Sequence, residues 1–374
     1  PDPQVTSHPM RPDAVAPQDT LEGQLSQIWA EILGLPSIGI HDNFFASGGH
    51  SLLAVRLFAR INTLCNANLS LATLFQAPTV AQLAALLRQE NWTPSWSSLV
   101  AIQPRGHKSP LYCIHAHGGH VLFYAELARY LDAEQPVYGL QAYGLNGAHP
   151  PHRTVEDMAT HYIDEIRSLQ PRGPYRLAGF CFGGLVAYEM AQQLHAQGQV
   201  VSFLALFDAN AIGRRPPLPN RSALRYVLWQ VAERVWHYIT DLWWLESKEI
   251  YPYFLNKISN VWRKTRLRLT GRIPLLDATP SPTREAPRVE FNLSVNPYTP
   301  RPYPGLITLF KASMQGAGYV DEPCLGWGEY AVGGIDVYTI PGYRETMLEK
   351  PRVRLLAQEL QTRLDHAQEH TPNG

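Results

Sequence analysis

Residues 175–184 read Tyr-Arg-Leu-Ala-Gly-Phe-Cys-Phe-Gly-Gly, and an apolar, helix-favouring segment from Leu185 to Ala196 follows. The run Tyr175–Phe180 has the length and apolar character of a buried strand. Gly179 and Gly183 flank Cys181 in a G-x-C-x-G pattern, so the chain predicts strand, sharp turn and helix with the thiol at the turn. Such an elbow presents a nucleophile at a helix N-terminus, where the dipole favours thiolate. A merely structural buried cysteine would not need the flanking glycines. Cys65, Cys113 and Cys324 lack such a setting and read as inert.

Outward from this elbow the chain repeats the same rhythm. Leu111–Ile114, Val137–Leu140, Phe203–Phe207, Leu306–Phe310 and Ile335–Ile340 are further short apolar runs, read as buried strands. Val155–Leu169 and Leu185–Ala196 read as helices between them. Strands alternating with helices predict a parallel sheet covered on both faces, the α/β class. Residues 213–290 interrupt this pattern. There Leu224, Val227, Leu228, Val231, Val235, Ile239 and Leu242 recur every three or four residues, and five of the chain's 9 tryptophans fall in the segment. It is expected to be a helical lid inserted in the sheet. Its far end carries Arg263, Lys264, Arg266, Arg268 and Arg272, either a solvated helix face or a docking surface for a phosphate-bearing partner.

The first quarter of the chain is of a different kind. Residues 1–18 read as a linker, and Leu25, Ile28, Trp29, Ile32 and Leu33 then recur at helical spacing. The stretch Asp42-Asn43-Phe44-Phe45-Ala46-Ser47-Gly48-Gly49-His50-Ser51-Leu52 leads into a second helix with Ser51 at its start. A hydroxyl there lies where free N–H groups and the macrodipole favour a phosphate. Thr79 is placed to cap a further helix carrying Val80, Leu83, Leu86 and Leu87. The expected organisation is a small helical bundle over 19–90, a linker over 91–108, an α/β domain over 109–366 and a tail over 367–374.

Lys+Arg 32 balances Asp+Glu 32, which argues against a nucleic-acid binder driven by its overall field. No apolar stretch is long enough for a membrane span. The four cysteines show no C-x-x-C spacing, so neither a metal nor a redox motif is read. The expectation is a reduced, cytoplasmic protein.

The stretch around Ser51 resembles the attachment site of the carrier proteins of nonribosomal peptide and polyketide synthases. The resemblance implies a four-helix carrier domain bearing covalent 4′-phosphopantetheine on Ser51, a phosphopantetheinyl transferase, upstream synthetase domains and a tethered peptidyl or acyl substrate. From about Leu99 the chain resembles the type I thioesterases that end such assembly lines. That likeness rests on Ile114-His115-Ala116-His117-Gly118-Gly119, Gly173-Pro174-Tyr175, the elbow, Leu206-Phe207-Asp208, Leu325-Gly326-Trp327-Gly328-Glu329 and Pro341-Gly342 followed by Thr346-Met347-Leu348. It implies an α/β-hydrolase fold, Cys181 as nucleophile and Asp208 as the acidic triad member. It also implies an oxyanion hole from the backbone N–H groups of Phe182 and His117. His115 and His120 are expected to be loop structure, with a reserve role as bases.

One position departs from the family. Its general base is a histidine after Pro-Gly-x, and here Arg344 stands in that place. Arginine remains protonated and cannot accept a proton at neutral pH. Two readings follow: a terminal carrier-thioesterase that loads Cys181 and releases by hydrolysis or cyclisation with difficulty, or a carrier fused to a thioesterase-fold binding platform. A free-standing lipase or esterase would leave Ser51 without a role.

Overall fold

The computed structural model describes residues 15–65, 69–89, 96–147, 149–211, 297–314 and 322–369. The expected lid at 213–290, with its tryptophans and basic cluster, lies outside these residues, as does most of the linker at 1–18.

Among the described residues four helices form the N-terminal bundle: α1 (Thr20–Leu33), α2 (Ser51–Cys65), α3 (Thr73–Gln76) and α4 (Val80–Leu87). Asp19 caps α1, its side chain accepting from Glu22 N at 2.8 Å. Thr79 caps α4 through Gln82 N at 3.3 Å, as its position suggested. The apolar stripe of α1 buries Leu25 and Trp29 completely, against Phe44, Leu57, Ile61, Leu74 and Leu83. Each such side chain contributes about 1.5–3 kcal/mol on burial, and together they make a core for a domain this small.

Beyond the bundle a seven-stranded sheet runs in the order β1-β3-β2-β4-β5-β6-β7. Its strands are β1 (Leu99–Gln103), β2 (Leu111–Ile114), β3 (Val137–Leu140), β4 (Tyr175–Phe180), β5 (Val201–Phe207), β6 (Ile307–Met314) and β7 (Ile335–Tyr343). Only β1 is antiparallel, pairing with β3. Among the described residues the α-helices of this part are α5 (Tyr124–Tyr130), α6 (Val155–Leu169), α7 (Phe182–Ala196) and α8 (Arg352–Glu369). Strand alternation divides the core between two faces. Tyr112, Ile114, Leu204 and Leu206 pack with α6 and α7, whereas Leu111, Cys113, Phe203 and Phe207 pack with α5 and α8.

Three expectations change. Residues 99–103, assigned to the linker, form the edge strand of the sheet. The run Leu99-Val100-Ala101-Ile102 is as apolar as the runs read as strands, and the linker assignment followed the polar, proline-containing stretch before it. Helix α7 begins at Phe182 and includes Gly183 and Gly184, which read in the sequence as turn residues. The tail begins later than residue 367, since α8 runs to Glu369.

Candidate active site

The residues singled out in the second domain converge at the C-terminal edge of the parallel strands, where the open sheet leaves a crevice. Cys181 follows β4, Asp208 follows β5 and Arg344 follows β7. The ladder carries on past the strand ends: Cys181 N donates to Phe207 O at 2.9 Å, and Asp208 N donates to Phe310 O at 2.8 Å. Both residues have positive φ, 54° at Cys181 and 42° at Asp208. A non-glycine residue in that region stores on the order of 1–3 kcal/mol, a cost borne where the geometry presents a side chain.

The turn is tight because α7 abuts β2. A Cβ at Gly183 would stand 2.5 Å from both Ile114 O and His115 O. Only glycine admits this approach, and it brings the start of α7 against the loop that begins at His115. The first N–H groups of α7, that of Phe182 among them, have no intrahelical acceptor. The His117 ring lies edge-on to the Phe182 ring, 5.0 Å between centroids. The side chains of the two residues expected to supply the donors are thus in contact.

Arg344 bridges the other two. Its Nε donates to Asp208 Oδ2 at 2.6 Å, and its Nη1 lies 3.9 Å from Cys181 Sγ. The remaining oxygen, Asp208 Oδ1, accepts from Ala312 N at 2.9 Å, which fixes the carboxylate. Burial works against the guanidinium charge, but the interactions of Arg344 with Cys181 and Asp208 outweigh it and hold it above its ordinary range. The arrangement is a thiol, a permanent cation and a carboxylate in line. It favours negative charge on sulfur, and the group beside Sγ at position 344 is a donor that accepts no proton.

Of the two histidines held in reserve, His115 has both ring nitrogens committed to the loop and its neighbours. His115 is fully buried, with Nε2 2.7 Å from Tyr162 Oη and Nδ1 2.7 Å from Ala116 O. Burial pushes it down to about 4, so its ring is neutral, donating to Ala116 O and accepting from Tyr162. Burial also lowers His120. Two residues with structural work at the site were not evident in the sequence. Tyr162 orients His115, and Tyr124 Oη donates to Ile114 O at 2.8 Å while accepting from Phe180 N at 2.9 Å. Nothing in the sequence marks either as a tyrosine whose hydroxyl is used.

In the first domain Ser51 is the opening residue of the 15-residue α2. The motif before it is explained by its contacts. Asp42 Oδ2 accepts from Gly39 N at 3.0 Å, and Asn43 Oδ1 accepts from Phe45 N at 2.9 Å. Phe44 is fully buried beneath the loop, and a Cβ at Gly49 would stand 2.3 Å from its ring. The loop is therefore pinned to the bundle and delivers residue 51 to a helix N-terminus. A phosphodiester fits there, since the first-turn N–H groups are free of intrahelical bonds. Among the described residues no group of histidine, cysteine and carboxylate side chains is arranged to hold a metal ion.

Comparisons with known proteins agree with both halves. The phosphopantetheine attachment site family matches residues 23–87, and the thioesterase domain family matches residues 109–228. Indigoidine synthase of Dickeya dadantii is 46% identical over 192 residues, 51% of this chain and 13% of that protein. A dimodular nonribosomal peptide synthase of Bacillus subtilis is 43% identical over 193 residues, 52% of this chain and 8% of that protein. The chain thus spans a small fraction of the curated relatives it matches. A solved holo four-domain nonribosomal peptide synthetase, bound to AMP and glycine, superposes with a TM-score of 0.52 at 28% identity. It covers 97% of this chain, which covers 27% of that one. The chain is a phosphopantetheine carrier domain followed by a thioesterase domain of α/β-hydrolase fold, of the kind that nonribosomal peptide synthetases contain.

Proposed function

We propose that this carrier-thioesterase pair ends a nonribosomal assembly line, with Ser51 as the attachment residue and Cys181 as the acceptor of the finished chain. The attached group supplies a flexible arm whose terminal thiol carries the acyl chain as a thioester. Cys181 attacks the acyl carbonyl as thiolate, forming a bond to Sγ while the carbon–sulfur bond to the arm breaks. The departing sulfur leaves as thiolate and takes a proton from solvent. Phe182 N–H and His117 N–H stabilise the oxyanion of the tetrahedral intermediate, the contribution that removal of one donor commonly shows to be worth roughly 10²–10³-fold. Exchange of one thioester for another is close to isoenergetic, and a thiolate held by a cation needs no base.

The observation that carries this reading is Arg344, with Nε on Asp208 at 2.6 Å and Nη1 3.9 Å from Sγ. It supports loading and disfavours release by hydroxyl nucleophiles. Water or an alcohol needs its proton removed, and general-base help is commonly worth about 10²–10⁴-fold. A neutral amine needs less. The second reading, a thioesterase fold kept as a binding platform, draws on the same arginine. Upstream synthetase domains, a phosphopantetheinyl transferase and a cytoplasmic setting belong to this proposal. Among the described residues no helix is long and apolar enough to cross a membrane. The test is to time loading and release separately in the wild type and in Arg344→His. Faster release in the variant, with loading kept in both, supports the reading; equal release rates sink it.

A further inference from the structure

The helix that follows the oxyanion loop faces two ways. On its outer side Ala125, with Leu122 from the turn before the helix, is buried in the same apolar cluster as Phe44, Phe45 and Leu74 of the carrier. Phe75 of α3 packs both there and on the thioesterase core, and Ala72 is buried in the latter. Phe75 stacks on Phe45, 5.3 Å between centroids and 20° between planes. Arg129 Nη1 donates to Phe45 O at 3.3 Å, a hydrogen bond from the last turn of α5 to the loop that leads into Ser51.

On its inner side the same helix holds the catalytic turn. Tyr124 is fully buried, and its hydroxyl ties Ile114 O, where β2 enters the oxyanion loop, to Phe180 N, one residue before Cys181. The rings of Phe123 and Phe180 lie 5.8 Å apart, closing the gap between helix and elbow. The β2–β4 ladder pairs Ile114 with Gly179, and the Tyr124 hydroxyl adds a further link where that ladder ends, between the segment that leads to the oxyanion donors and the one that leads to the nucleophile. An error of about 1 Å in the spacing of two such segments can cost on the order of 10²-fold.

We propose that α5 is the loading helix of this protein: the face formed by Leu122, Ala125 and Arg129 is the seat of the carrier in cis, and Tyr124 is the positioning residue through which that helix fixes Cys181 against the oxyanion loop. This rests on the reading that Cys181 accepts the carrier's chain. The seat is apolar at its centre with one hydrogen bond at its rim, which suits an interface that forms and parts within one polypeptide. Its occupant is the carrier's own α3 and the Phe44–Phe45 loop.

Two acyl sources separate the two roles. One is the chain tethered in cis on Ser51; the other is a diffusible N-acetylcysteamine acyl thioester given to Ser51→Ala protein, with acylation of Cys181 read by intact mass. Ala125→Arg places a charge in the seat. It is expected to slow loading in cis at least tenfold and to leave loading from the diffusible thioester unchanged, which also certifies that the variant is folded. Tyr124→Phe keeps the ring and removes only the hydroxyl. It is expected to slow loading from both sources by a common factor of about ten or more. That loss should fall on the rate constant at saturation with the final extent of Cys181 acylation kept, whereas partial unfolding would lower the extent. The proposal is overturned if Ala125→Arg slows both sources alike or neither, or if Tyr124→Phe loads at the wild-type saturating rate. A wild type that loads Cys181 from neither source refutes the underlying reading and this inference with it. One that loads normally while the variants fail to discriminate refutes the inference alone.

Discussion

Acid should loosen this protein through His115. The ring is fully buried, and burial lowers it to about 4 from an ordinary value near 6.5. A depressed histidine is neutral in the folded state, so the unfolded chain takes up the proton first as pH falls. Stability is therefore fully present above about pH 6.5 and is lost as pH drops towards 4. The gap between the two values implies about 2–3 kcal/mol lost by pH 4.5, a large part of a typical domain's margin. The site pays at the same time, because a doubly protonated ring cannot accept from Tyr162 Oη, and the loop carrying His117 hangs from that contact. The assay is urea unfolding of wild type and His115→Asn at intervals from pH 7.5 to 4.5. The variant is expected to be the less stable at neutral pH, and the gap should shrink by about 2–3 kcal/mol towards pH 4.5. A gap that stays constant across that range would refute the reasoning, because it would mean that His115 exchanges no proton on unfolding.

Other consequences follow at the same edge of the sheet. Arg344→Gln should slow iodoacetamide alkylation of Cys181 at pH 7 by about 10–100-fold. A unit charge 3.9 Å away interacts by roughly 4 kcal/mol before desolvation offsets much of it. Cys181→Ser should abolish loading while Arg344 is present, since a hydroxyl needs a base; the pair Cys181→Ser with Arg344→His should recover part of it, both read by intact mass. Gly183→Ala forces a methyl to within 2.5 Å of two carbonyl oxygens, so a stability loss of about 1–3 kcal/mol is expected in thermal unfolding, together with slower loading.

How far the sequence could be read depended on how local each feature is. The elbow at Cys181 was legible because strand, turn glycines and helix are adjacent in the chain. The attachment loop was legible for the same reason, its Asp42, Phe44 and Gly49 all serving one turn. The start of α7 was placed three residues late because Gly183 and Gly184 read as punctuation, whereas their role is to let helix and strand touch. Strand β1 reads as linker only because it adjoins the proline- and serine-containing stretch before it; its own run Leu99–Ile102 is apolar. Tyr124, Tyr162 and the carrier seat on α5 were hidden for another reason. Their partners lie 10 to 84 residues away, and an aromatic ring used for its hydroxyl looks no different in sequence from one used for its bulk.

The central claim is that acyl chains pass from Ser51 to Cys181 and then wait. The most direct measurement follows one peptidyl chain on the protein after phosphopantetheinyl transfer and acyl loading, by intact mass with peptide mapping over minutes to hours. The account predicts that the acyl mass moves from the Ser51 peptide to the Cys181 peptide and persists there in water, leaving promptly only when an amine acceptor or the Arg344→His change is supplied. An acyl mass that stays on the Ser51 peptide with Cys181 unmodified, or that is released to water at the same rate in Cys181→Ala, would contradict it.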